Sequence, residues 1–114
     1  MPLLTAIGND IGYEKVFTEH LANLAESGDL LIVFTASGNS PNILDALRWA
    51  RQHGLETIGM LGFDGGEAAK LVDLCVIAKS RNYGFVEDLH LILEHALSQW
   101  IKAKIEQEGP EAQV

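Results

Sequence analysis

Two short clusters in this sequence combine residue types and spacings that suit chemistry. The first is "TASGNS", residues 35–40, set between the apolar run "LLIVF" and the helical pattern "ILDALRWARQHG". Where a strand turns directly into a helix, the first helical N–H groups have no internal partner. Those donors and the positive end of the helix dipole make an anion site. Gly38 lets the backbone approach a ligand closely. Thr35, Ser37 and Ser40 can offer hydroxyls to phosphate oxygens, and Asn39 can orient the turn. The competing reading is an ordinary turn in which Ser40 merely caps the helix.

The second cluster is "VEDLHLILEH", residues 86–95. Asp88 and His95 are seven apart, about 20° from each other around a helix, and Glu87 is eight from His95, about 80° away. A histidine near a carboxylate suits general acid–base work around neutral pH. It could equally be half of a metal site completed by other segments. His90 points elsewhere, with Glu94 nearby. The plainer reading is two surface histidines with salt-bridge partners. Two further turns carry less. In "GND", residues 8–10, Asn and Asp after Gly suit a self-bonded turn. "GFDGGE", residues 62–67, lacks both a GxGxxG spacing and an accompanying basic residue, and also reads as a turn.

The elements that must position these clusters follow from the pattern. "GYEKVFTEHLANLAESG" is helical, with Val16, Leu21 and Leu24 near one face and Gly28 at the C-terminal cap. "DLLIVFT" is a continuous apolar run of the kind found in a parallel sheet covered on both faces. The next helix has Ser40 at its N-cap, Pro41 at its first position and Gly54 at its close. "LETIGML" is a strand, "GGEAAKLVD" a short helix and "DLCVIA" a third strand. A long helix then runs from about Phe85 to Glu106. Alternation with short joints predicts an α/β fold with a parallel sheet. Three strands fall short of the mean of ~5–6. In the last helix Leu89, Ile92, Leu93, Ala96 and Trp100 form an apolar stripe that Leu97 and Ile101 widen beyond the usual ~100°. Such a helix is expected to meet more than its own sheet, as at a subunit interface.

Composition narrows the classes. A chain of 114 residues matches one domain or a piece of one, and 47% hydrophobic content supports a core. Eight Lys plus Arg against 16 Asp plus Glu give a net charge of −8, which disfavours bulk attraction to nucleic acid or anionic membrane. The single Cys75 lies in an apolar run and suits a reducing, cytoplasmic setting. No apolar run approaches the ~18 residues of a membrane span. The N-terminus lacks the leader of a signal peptide. Residues 1–106 read as one domain, and 107–114 as an acidic, frayed tail.

The run "GDLLIVFTASGNSPNILDALRWARQHGLETIGMLGFDGGEAAKLVD" followed by "VEDLHLILEH" resembles the sugar isomerase (SIS) domain family. Within it, the resemblance is to the phosphoheptose isomerase branch, which acts on sedoheptulose 7-phosphate. It extends to about residue 104. It implies a flavodoxin-like three-layer α/β/α sandwich, assembled into dimers or tetramers with active sites between subunits. The loop Thr35, Ala36, Ser37, Gly38, Asn39 and Ser40 would bind the sugar phosphate, and Asn9 and Asp10 would be substrate contacts. His95 would be an acid–base group and, in some members, a zinc ligand, with Glu87 where the family usually has Gln. Zinc is thus the one cofactor implied.

Two departures qualify the branch. Ala36 stands where a hydroxyl residue is usual, and Glu87 adds a charge that would favour a metal but repel an anion. The family also begins with a helix, a strand, a Gly-rich loop, a helix carrying a carboxylate base and a second strand, which these 114 residues do not contain. The expectation is therefore the C-terminal portion of a SIS domain, incomplete in its sheet and either oligomeric or paired with another piece. Its function would be aldose–ketose isomerisation of a phosphosugar. The rival is a non-catalytic SIS module that binds a phosphosugar for regulation or assembly.

Overall fold

A computed structural model describes residues 12–108. Its centre is a three-stranded parallel sheet in the order β1 (Leu30–Thr35), β2 (Glu56–Gly62), β3 (Leu74–Ala78). Thr35 lies opposite Leu61, and Leu61 opposite Ile77, so the carboxyl ends of the strands are level. A 3-10 turn, Tyr13–Lys15, leads into α1 (Val16–Leu24). The remaining helices are α2 (Pro41–Gln52), α3 (Ala68–Leu71) and α4 (Tyr83–Glu108). The architecture is α/β, as the alternating pattern predicts.

Local signals explain most boundaries. Ser40 is the N-cap of α2 with Pro41 at its first position, and Gly54 follows the end of the helix at φ 77°. Proline has no N–H to lose there, and glycine tolerates the left-handed turn. The expected cap at Gly28 is different. Helix α1 stops at Leu24 with an extended Ala25 as its cap, and Gly28 belongs to the turn before β1, where its N–H donates to the Gly54 carbonyl. Val16 is buried, Leu21 half-buried and Leu24 exposed.

One face of the sheet is closed. Val33, Leu44, Leu47, Leu61 and Ala68 form its core, joined by Leu31, Ile43, Cys75 and Ile77 from the strands and α2. These are alternate residues of β1 and β3, as the two-residue strand period requires. The helix α1 lies over α2, held by an ion pair from Lys15 to Asp45 at 2.9 Å and a hydrogen bond from the Thr18 hydroxyl to the same carboxylate.

The other face carries only α4, and only near its start. Val86 packs between Ala36 and Ala78, with Phe63 alongside. Leu30, Phe34, Leu74 and Val76 on that face are exposed, so the run "LLIVF" is covered on one side rather than two. The expected stripe on the last helix is also turned. The inward positions are Val86, His90, Leu93 and Leu97, while Leu89, Ile92, Ala96, Trp100 and Ile101 are exposed. Hydrophobic content alone could not choose the face, because this helix is apolar nearly all round. The buried histidine marks the true one.

Candidate functional site at the carboxyl edge of the sheet

The loop 35–40 is held in shape by its own side chains. The buried Thr35 hydroxyl oxygen accepts from the Gly38 N–H at 3.3 Å, and the Ser37 hydroxyl oxygen from the Asn39 N–H at 3.2 Å. Each hydroxyl keeps its hydrogen for another acceptor. Gly38 has φ 70°, and a Cβ there would stand 2.1 Å from the Gly65 carbonyl oxygen. A Cβ on Gly66 would stand 2.5 Å from the Ser37 carbonyl oxygen, so the "DGG" turn nests against this loop and only glycine fits the contact. The Asn39 side chain seals the joint by accepting from the Glu67 N–H at 2.9 Å. The "GFDGGE" segment is thus the turn that its composition predicts, with Asp64 accepting from the Gly66 N–H.

A groove of about 260 Å³ opens where β1 ends, lined by Thr35, Ala36, Tyr83, Glu87, His90 and Glu94 among others. Its position is the one favoured in open α/β sheets, in which ligands sit outside the carboxyl ends of the strands. Residues 87, 90 and 94 are spaced three and four apart, so one face of α4 presents all three. His90 is 8% exposed, its Nε2 lies 2.8 Å from the Leu61 carbonyl oxygen, and its ring meets Phe34 edge-on at 5.8 Å. The start of α4 is set by Asn82, whose side chain accepts from the Phe85 N–H.

The residues singled out in the sequence therefore part company. Thr35, Ala36 and Glu87 meet in the groove. Ser40 holds the N-cap position but makes no side-chain cap bond, and it borders a separate depression with Tyr13 and Glu14. Asn39 borders another, with Asp64 and Glu67. His95 is exposed on α4 and does not line the groove with Glu87. His90, which the helix spacing sets apart from the Glu87–His95 pair, faces the groove together with Glu94. The signal that could have found them is the 87–90–94 spacing on one helical face. Asn9 and Asp10 lie outside the described residues.

Among the described residues the donor set does not complete a metal site. Glu87 and His95 are two ligands on different parts of the helix surface, and among the described residues no group of three His, Cys, Asp or Glu side chains converges. A tetrahedral zinc site needs three or four such donors.

A parallel sheet with helices on both faces and a groove at its carboxyl edge defines an α/β domain with a candidate site at that edge. The family model for the SIS domain matches residues 2–62, more than half of the chain, and the chain belongs to this family. The phosphoheptose isomerase of Aliarcobacter butzleri (strain RM4018) is 44% identical over 98 residues, covering 86% of this chain and 52% of that protein. That of Nitratidesulfovibrio vulgaris (strain DSM 19637 / Miyazaki F) is 43% identical over 97 residues, covering 85% and 47%. Among solved structures, phosphoheptose isomerase GmhA from Neisseria gonorrhoeae superimposes with a TM-score of 0.86 at 31% identity, covering 90% of this chain and 58% of that one. A phosphoheptose isomerase from Francisella tularensis gives 0.85 at 30% identity. The chain spans about half the length of the curated relatives it matches.

Proposed function

We propose that this chain carries part of the active site of a phosphosugar isomerase, acting on sedoheptulose 7-phosphate or a related sugar phosphate. The observation that carries the reading is the groove in which Thr35 and Ala36 meet Glu87, His90 and Glu94, within a fold shared with phosphoheptose isomerases. The loop 35–40 would hold the phosphate with the Thr35 hydroxyl at the groove and the sugar lying toward α4, whereas Ser37 and Ser40, which do not line the groove, would join only where the ligand extends past it.

Aldose–ketose isomerisation moves a proton between adjacent carbons through an enediol, with one group as base and another serving the hydroxyl oxygens. Glu87 would exchange that proton, with Glu94 the other carboxylate lining the groove among the described residues. His95 would take part only if a second copy or another segment covers the exposed side of α4. Such an assembly would also bury Ile92, Trp100 and Ile101, which supports oligomerisation. Zinc would need ligands beyond Glu87 and His95, and no step is routed through it. Cytoplasmic residence is part of the same reading, supported by the acidic, cysteine-poor composition; no helix among the described residues is long and apolar enough to cross a membrane.

The rival is a SIS module that binds the phosphosugar without turning it over. A thermal-shift titration with sedoheptulose 7-phosphate, against phosphate and unphosphorylated sugar, tests both. A ligand at 100 times its Kd stabilises by ~2.7 kcal/mol. A response to the sugar phosphate with turnover in an aldose–ketose assay supports the isomerase, and a response without turnover the binding module. No response rejects both.

A further inference from the structure

We propose that His90 contacts the substrate directly: its Nδ1 accepts a hydrogen bond from a sugar hydroxyl in the groove. The proposal rests on the phosphosugar reading above and adds a residue to it. A carbonyl oxygen cannot donate, so the 2.8 Å contact with Leu61 requires the proton on Nε2. In the neutral ring Nδ1 then carries a lone pair. Among the described residues Nδ1 has no hydrogen-bond partner, and no buried side-chain nitrogen or oxygen is left unpaired. His90 is buried as a residue, and the groove is the space it borders.

The surroundings match a polyhydroxylated ligand. Leu61 is in register with Thr35, so the anchor of His90 stands beside the first residue of the loop. The Thr35 oxygen already accepts from the Gly38 N–H, which leaves its hydroxyl as a donor. Glu87 and Glu94 supply acceptors on the same helical face as His90. A groove with mostly acceptors and few donors complements hydroxyl groups, which bring the missing hydrogens.

The test uses the full chain labelled with 15N-histidine and long-range 1H–15N correlation. The free protein should show His90 protonated at Nε2 and bare at Nδ1. Adding sedoheptulose 7-phosphate should move the Nδ1 resonance while Nε2 stays protonated. His90→Gln can still reach the Leu61 carbonyl through its amide but lacks the acceptor. It should unfold near the wild-type midpoint and bind about tenfold more weakly. His90→Leu loses both contacts. A proton on Nδ1 in the free protein overturns the proposal, as does wild-type affinity in a folded His90→Gln. Ligand-induced shifts at residues 35–40 with Nδ1 unmoved overturn it while leaving the phosphosugar reading intact. No shift anywhere with sugar phosphate, sugar or phosphate removes both. Should His90→Gln fail to fold, the wild-type titration alone decides.

Discussion

The two faces of the sheet were built to different standards. On one, α2 and α3 cover alternate strand residues so fully that Leu47 and Leu61 have no exposed surface, and α1 forms a further layer above them. On the other, α4 touches the sheet through Val86 and His90 and then runs on with Trp100 59% exposed, while Leu74 of β3 is 61% exposed. Burying a leucine or valine is worth ~1.5–3 kcal/mol, so the closed face holds the fold together. The open face holds little, and its one polar anchor borders the groove. Stability and the candidate site are thus divided between opposite sides of three strands.

The largest expected effect tests the closed face. Leu47→Ala should cost about 2–5 kcal/mol in denaturant unfolding, the range for a fully buried leucine whose cavity cannot collapse. A loss below about 1 kcal/mol would mean that α2 is not the lid of the core, and the contrast between faces would fail.

Gly38→Ala comes next. Its φ of 70° and the 2.1 Å approach to the Gly65 carbonyl force the two nested turns apart. The expected loss is about 1–3 kcal/mol from backbone strain, with more from displacing the turn. Any sugar-phosphate response should go with it, because the loop would no longer face the groove. A folded Gly38→Ala that binds like wild type would separate the loop from the site.

A smaller effect comes from the outer layer. Burial pushes the Asp45 carboxyl up, but hydrogen bonds from Lys15 and Thr18, with the charges of Lys15 and Arg48, outweigh it and hold it below its usual 3.8. A carboxylate depressed in the folded state stabilises at pH values above its unfolded pKa, and that contribution is lost as pH falls through the folded value. The pair is partly exposed, so screening limits it. Asp45→Asn should cost on the order of 1 kcal/mol at pH 7, and the gap to wild type should close below about pH 3.8. A gap constant from pH 7 to pH 3 would show that α1 is held by packing rather than by this carboxylate.

The contrast also marks what could be read without a structure. Strand runs, the Pro41 start and the Gly54 end of α2, and the "DGG" turn were legible because each depends on local chemistry: apolar continuity, a missing N–H, a left-handed φ. The nesting of Gly38 on Gly65 was not, since it joins residues far apart in sequence. The orientation of α4 failed for another reason. With Leu89, Ile92, Trp100 and Ile101 competing against Val86, Leu93 and Leu97, periodicity gives no unique face. The choice falls to one long-range hydrogen bond, from His90 to Leu61, which no helical pattern encodes. Glu87 lies on the edge of that face and lines the groove, whereas His95 lies on the exposed side.

The smallest expected change is the sharpest test of the open face. Leu74 is apolar, sits on an edge strand and is 61% exposed, so replacing it gives up little buried area within the chain. Surface substitutions of this kind usually stay within about 0.5 kcal/mol. Leu74→Ser should therefore leave the unfolding midpoint of dilute protein nearly unchanged. In sedimentation at rising concentration, however, it should reduce self-association, because exposed apolar residues on an edge strand are the surface another chain would cover. A loss of 2 kcal/mol or more in dilute protein would mean that this face is already buried in the folded monomer. Unchanged stability with unchanged association would place the contact elsewhere, on the apolar flank of α4 around Trp100.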